Sequence, residues 1–179
     1  CAIDNDGKGL YTTGMNHGDA MHLTQFSPDI KELQVWGCHE NRKDGTSFRN
    51  AATGEVIFQI KSKDDVGRCM AADIDPINKG VEMWSYASDG IRNVKGEVVN
   101  PNIKGLPANM AVWWDGDLLR ELLDKNVVSK YDWEERVNKP LFQFEGCISN
   151  NGTKSNPSIQ GDLIGDWREE VLIRTEDNS

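Results

Sequence analysis

The chain lacks any Cys-x-x-Cys pair, any apolar run of about 18 residues and any surplus of positive charge, and each absence removes a class of function. Its four cysteines, Cys1, Cys38, Cys69 and Cys147, are scattered. Without paired spacing they form neither a zinc knuckle nor a dithiol redox motif, and buried free thiols are expected. No apolar run means that no bilayer-spanning helix is expected. Lys and Arg number 20 against 29 Asp and Glu, giving a net charge of -9, so nucleic acid and anionic membranes would be repelled. A local basic pocket for an acidic substrate is still compatible with that balance. Helical periodicity is scarce too. Only Leu118-Leu119-Arg120-Glu121-Leu122-Leu123 has it locally, and because that phrase coincides with a repeat described below it is read as a strand.

What is present suffices for a folded core: 179 residues, 37% hydrophobic, with six tryptophans. The chain opens at Cys1, close to an acidic turn, Asp4-Asn5-Asp6-Gly7-Lys8, with no signal peptide, so a piece of a longer protein is expected.

Sliding the sequence against itself aligns Gln25-Phe26-Ser27-Pro28 through Leu33-Gln34-Val35-Trp36 with Asp73-Ile74-Asp75-Pro76 through Val81-Glu82-Met83-Trp84 at an offset of 48 residues. Further copies begin at Asp115-Gly116-Asp117 and Gly165-Asp166-Trp167. With Gln34, Glu82, Glu121 and Glu170 as marks, the spacings are 48, 39 and 49 residues. That is close to the roughly 40–50 residues of a four-stranded propeller blade. Residues 47–60 read as strand, turn at Ala52-Thr53-Gly54-Glu55, strand, and a second hairpin is expected across Ser88-Asp89-Gly90.

Each acidic turn has a structural account, in which Asp side chains accept hydrogen bonds from their own backbone, and a calcium account, in which the carboxylates supply oxygen ligands. The pairs open to both are Asp4 and Asp6, Asp73 and Asp75, and Asp162 and Asp166. Of three histidines, two share the phrase His17-Gly18-Asp19-Ala20-Met21-His22 and the third precedes Glu40. His17, Asp19 and Glu40 together make an imidazole and carboxylate set suited to a divalent metal, whereas His22 and His39 are read as hydrogen-bonding core residues. Arg68 directly precedes a predicted strand, where an arginine at a propeller's strand ends would face its ligand-binding cleft. The loop Asn151-Gly152-Thr153-Lys154-Ser155, Gly-kinked and carrying one Lys, suits gripping a sugar acid; its bland account is a solvated turn.

These phrases, with Arg49-Asn50-Ala51-Ala52-Thr53-Gly54, Asp65-Val66-Gly67-Arg68, Trp113-Trp114-Asp115-Gly116-Asp117 and Gly165-Asp166-Trp167-Arg168-Glu169-Glu170, resemble in order the rhamnogalacturonan lyases of polysaccharide lyase family 11. The resemblance covers nearly the whole chain. It implies an all-β fold, an eight-bladed β-propeller of which residues 1–179 would be one fragment of about four blades. It also implies bound calcium and cleavage of the rhamnogalacturonan I backbone of pectin by β-elimination. Carried onto matching positions, it places a metal on His17, Asp19 and Glu40, sets Arg68 and Lys154 beside the reacting sugar, and has Asn151, Gly152 and Thr153 contact it. A further metal-ligating His and substrate contacts from the rest of the parent are expected outside this chain.

In such an elimination the C5 proton of galacturonate leaves before the C4–O bond breaks, so charge building on the uronate must be stabilised. Lys154 is the expected base and Arg68 the stabiliser; a lysine in that role must first lose its own proton, which neighbouring cations promote. A monomeric, secreted parent is expected, because the polymer is too large to import. The rival reading is a calcium-stabilised propeller module that binds glycan or protein without catalysis, which needs the acidic turns but neither Arg68 nor Lys154. Paired acids such as Glu134 and Glu135 do not support a hydrolase, since neighbours on a strand face opposite ways.

Overall fold

The computed structural model describes residues 1–87 and 89–177, so Ser88 of the second expected hairpin lies outside the described residues. The chain forms two compact units. The first comprises Cys1–Ala71 with Asn78–Ile103, and the second Ala72–Ile77 with Lys104–Ser179.

In the first unit a hairpin, β1 (Ala2–Ile3) and β2 (Gly9–Tyr11), precedes a sheet of consecutive strands β3 (Met21–Thr24), β4 (Gln34–Cys38), β5 (Thr46–Asn50) and β6 (Val56–Ile60). A second consecutive sheet follows, β7 (Cys69–Ala72), β8 (Glu82–Ser85), β9 (Ile91–Arg92) and β10 (Val98–Asn100). The expected strand, turn, strand at 47–60 is the β5–β6 pair, with Phe48 opposite Phe58. Its turn forms because Asn50 Oδ1 accepts the amides of Ala52 at 2.9 Å and Thr53 at 3.1 Å. Gly54 closes it at φ 76°, where a side chain would strike the Tyr11 ring at 2.4 Å.

The second unit has a third consecutive sheet, β11 (Met110–Val112), β12 (Glu121–Asp124), β13 (Val127–Asp132) and β14 (Val137–Gln143). Two short pairs complete it: β15 (Cys147–Ile148) with β18 (Arg174–Thr175), and β16 (Ile159–Gly161) with β17 (Glu170–Leu172). The one helical turn among the described residues is 3-10, Gly152–Lys154. The all-β expectation therefore holds, and the phrase at 118–123 is a strand from Glu121 onward. Three sheets carry four strands each, the β16–β17 pair carries two, and no closed ring is formed among the described residues.

The repeat marks fall at one structural place. Gln34, Glu82, Glu121 and Glu170 are each the first residue of the second strand in their sheet. Three of them tie down the loop before that strand. Gln34 Oε1 accepts the Phe26 amide at 2.9 Å, Glu121 Oε2 those of Trp114 and Asp115 at 2.9 and 3.2 Å, and Glu170 Oε2 those of Leu163 and Ile164 at 2.7 and 3.3 Å. Such bonds, charge-assisted at Glu121 and Glu170, satisfy loop amides that packing would otherwise strand.

In the four-stranded sheets the second strands are also the most buried. Every residue of β4 and β8 is buried, and Trp36 donates its indole N–H to the carbonyl of Trp84 at 3.3 Å, one repeat later. Around Trp36 the first unit packs Phe26, Phe48, Val66 and Met83, with Phe26 and Phe48 edge to face at 5.0 Å. Burying one such aromatic removes about 150–250 Å² from water, about 4 to 6 kcal/mol before conformational entropy is counted. The second unit centres on Val112, Leu123 and Val128, flanked by Trp114 and Phe144 at 5.9 Å between rings.

Candidate functional site

Gly18 lets the first site assemble. A Cβ there would lie 2.0 Å from the carbonyl oxygen of Cys38, so only glycine allows the 17–19 segment to lie against the end of β4. Gly18 is needed here for close backbone approach. The Glu40 amide donates to the His17 carbonyl at 2.9 Å, and His17 Nδ1 then sits 3.0 Å from Glu40 Oε1 and 3.8 Å from Asp19 Oδ1. The three ligating atoms lie within 4.8 Å of one another, with His17 and Glu40 exposed and Asp19 partly buried. Arg68, just before β7, places Nη1 3.8 Å from the other oxygen of Asp19 and donates to the Gly67 carbonyl at 2.6 Å. Three residues expected to share a metal and one expected to meet substrate thus converge.

One imidazole nitrogen and two carboxylates open to solvent are a donor set that suits a divalent cation. With only the protein present, His17 Nδ1–H donates to Glu40; a cation would need the other tautomer, with the Nδ1 lone pair turned toward it.

Lys154 sits on a constrained loop in the second unit. Asn151, Gly152 and Ser155 all have left-handed backbones, at φ 62°, 55° and 52°. For Asn151 and Ser155 this costs about 1–2 kcal/mol each. An isolated bridge joins Asn150 to Asn156 across the base, Asn151 Nδ2 donates to Asn156 Oδ1 at 3.2 Å, and Ser155 is buried beneath. Asn109 donates to the Thr153 carbonyl at 3.3 Å. The loop that carries Asn151, Gly152 and Thr153 exposed and Lys154 half-buried is held rather than splayed.

The acidic turns take the structural account in part. Asp4 Oδ1 accepts the amides of Asp6 and Lys8, Asp75 Oδ1 that of Ile77, Asp162 Oδ1 those of Gly165 and Asp166, and Asp166 Oδ1 that of Arg168. Burial, then the nearby Asp75 carboxylate, raises the pKa of Asp73. Among the described residues two groups gather three metal-ligating side chains, and none of these six belongs to either.

The second such group was not anticipated: Asp115, Asp117 and Glu121. Its centre is taken by the Lys130 ammonium, 2.6 Å from Asp117 Oδ2, 2.9 Å from Glu121 Oε1 and bonded to Asp115 Oδ2. Burial disfavours that charge, but the three carboxylates outweigh it and raise the Lys130 pKa. The acids all lie in phrases that sequence singles out. Lys130 does not, because it arrives through the β12–β13 hairpin, which pairs Leu122 with Ser129.

Of the remaining histidines, His22 bonds the Cys69 carbonyl at 3.0 Å and His39 bonds Ser47 Oγ at 2.9 Å, as core residues do. Burial lowers both pKa values, and for His39 Arg49 adds to it. Cys38 and Cys69 are buried free thiols as expected, Cys147 is partly buried, and Cys1 is exposed.

The model of the rhamnogalacturonan lyase family 11 C-terminal domain matches residues 1–179. The chain is 48% identical to the rhamnogalacturonan endolyase YesW of Bacillus subtilis (strain 168), with 99% of this chain and 28% of that protein aligned. It is 46% identical to the rhamnogalacturonan exolyase YesX of the same organism, over 99% of this chain and 32% of the relative. A crystal structure of rhamnogalacturonan lyase YesW superposes with a TM-score of 0.93 at 46% identity, covering 98% of this chain and 30% of that one. The chain therefore spans about 30% of the length of these relatives.

Proposed function

The chain belongs to rhamnogalacturonan lyase family 11, and on that premise we propose that it carries part of the catalytic site of an enzyme that cuts the rhamnogalacturonan I backbone by β-elimination at galacturonate. Its four-stranded sheets are successive blades of a larger, eight-bladed ring, to which the rest of the parent contributes the remaining blades. The observation that carries the reading is the convergence of His17, Asp19, Glu40 and Arg68.

His17, Asp19 and Glu40 would hold calcium, which when bound supplies positive charge to the uronate carboxylate. Arg68, its side chain largely withdrawn from solvent beside Asp19, would stabilise the negative charge that grows as C5 loses its proton. Lys154 accepts that proton. The constrained 151–155 loop fixes its position, while Asn151, Gly152 and Thr153 face the sugar. The electron pair left at C5 forms the C4–C5 double bond as the C4–O bond breaks; the C4–O pair departs on the glycosidic oxygen, which takes a proton from water, leaving an unsaturated uronate end. The parent acts outside the cell, as a monomer on a polymer too large to import.

The test uses the full-length parent and the near-ultraviolet absorbance of unsaturated uronate. Lys154→Ala should lower kcat by about 10²–10⁴-fold, the usual contribution of a positioned base. Retention of most activity would remove Lys154 from that role.

A further inference from the structure

Arg49 is a buried cation whose partners are all neutral. It is nine-tenths buried on β5. Its three side-chain hydrogen bonds leave from one nitrogen, Nη1, toward Ser47 Oγ at 2.6 Å, His39 Nε2 at 3.2 Å and Met15 Sδ at 3.6 Å. No carboxylate among the described residues forms an ion pair with it. Withdrawing a guanidinium from water costs several kcal/mol unless an anion compensates. Burial accordingly pulls its pKa down.

The second nitrogen, Nη2, lies beside Gly37, where even a Cβ would come within 3.5 Å, so the missing side chain leaves it room. Arg49 lines a cavity of about 190 Å³ with Tyr11, Met15, Asn16, Gly37 and His39, and no Asp or Glu contributes to its wall. At roughly 30 Å³ per water that is space for about six waters. His39 in the same wall adds no negative charge: its Nε2 faces Arg49 Nη1 and Ser47 Oγ, so its proton sits on Nδ1.

We propose that this cavity is an anion site in which Arg49 takes the carboxylate of an acidic sugar, distinct from the site built on His17, Asp19, Glu40 and Arg68. A planar guanidinium presents parallel N–H donors that match a carboxylate, and Tyr11 and Met15 supply apolar surface for the ring that bears it. The choice of a uronate rests on the lyase reading; the demand for an anion does not.

The experiment titrates the chain with sodium galacturonate, galactose and inorganic phosphate, read by amide chemical shifts. Galacturonate should move the amides of Met15, Asn16, Gly37 and His39, with galactose at least tenfold weaker. Arg49→Met, which replaces a buried cation by an apolar chain of similar length, should weaken binding at least tenfold while the fold stays intact by circular dichroism. Should that variant unfold, Gly37→Val, which keeps the charge and fills the space beside Nη2, should give the same loss. Equal binding of galactose, preference for phosphate, no binding at all, or shifts unaltered by both variants would each overturn the proposal. A lyase assay that fails while galacturonate still binds here would sink the catalytic reading alone.

Discussion

Two carboxylate clusters, one in each unit, gather the same kind of ligand atoms and solve the charge problem in opposite ways. Asp115, Asp117 and Glu121 close around Lys130, a cation carried on the next strand, so the cluster is complete within the protein. Among the described residues no lysine forms an ion pair with His17, Asp19 or Glu40; Arg68 lies 3.8 Å from one oxygen of Asp19, and the His17 and Glu40 side chains face solvent. A self-filled cluster stiffens the loop before β12, whereas an open one can take a cation from outside. Three acids in proximity therefore do not identify a metal site. What distinguishes one is whether the fold already supplies the counter-charge.

The comparison breaks most sharply at Lys130. In Lys130→Met, Glu121, which is fully buried, and two neighbouring carboxylates lose their cation, and the second unit should lose about 3–5 kcal/mol in urea unfolding. If the contrast between filled and open is correct, calcium should restore part of that loss by entering the vacated centre. A loss under about 1 kcal/mol would show that the cluster is an ordinary surface ion pair.

The next effect belongs to the open cluster. In the unmodified chain calcium at about a hundred times its dissociation constant should stabilise the fold by about 2.7 kcal/mol, and a chelator should reverse this. The double variant His17→Ala, Glu40→Gln should lose that shift in thermal melts while keeping the Lys130 cluster. An undiminished calcium shift would move the metal elsewhere.

How far these clusters could be seen in advance follows from the distance over which each is assembled. Gln34, Glu82, Glu121 and Glu170 were legible as marks because each opens the second strand of its sheet, and three of them bind loop amides six to eight residues back. Helix and strand were hard to separate at 118–123 because β12, like β4 and β8, is buried nearly throughout and so carries no alternation. The His17 set was legible from chemistry, although the reason for Gly18, its contact with the Cys38 carbonyl, needs coordinates. Lys130 and Arg49 were not. A lysine nine residues beyond Glu121 and an arginine within an ordinary strand look like solvated charges until pairing and burial are known.

The smallest effect is a pH dependence that should appear in one cluster. Burial alone would raise the Asp115 pKa, but its bonds to Lys130 and to the Asp117 amide lower it on balance, and the same contacts raise that of Lys130. A depressed carboxyl contributes stability above its unfolded value, about 3.9, and that contribution fades as pH falls through the folded value. A raised lysine contributes fully below about 10.4 and loses its contribution as pH climbs through the folded value. Stability from this cluster should thus be flat between about pH 5 and 9 and decline on both sides. Lys130→Met should flatten both declines, because without the ammonium neither shift has its cause. Melting temperatures of the two proteins across pH 2–11 test this: parallel curves would mean that the ammonium does not govern how the cluster titrates, and the distinction between a filled and an open cluster would then lose its electrostatic basis.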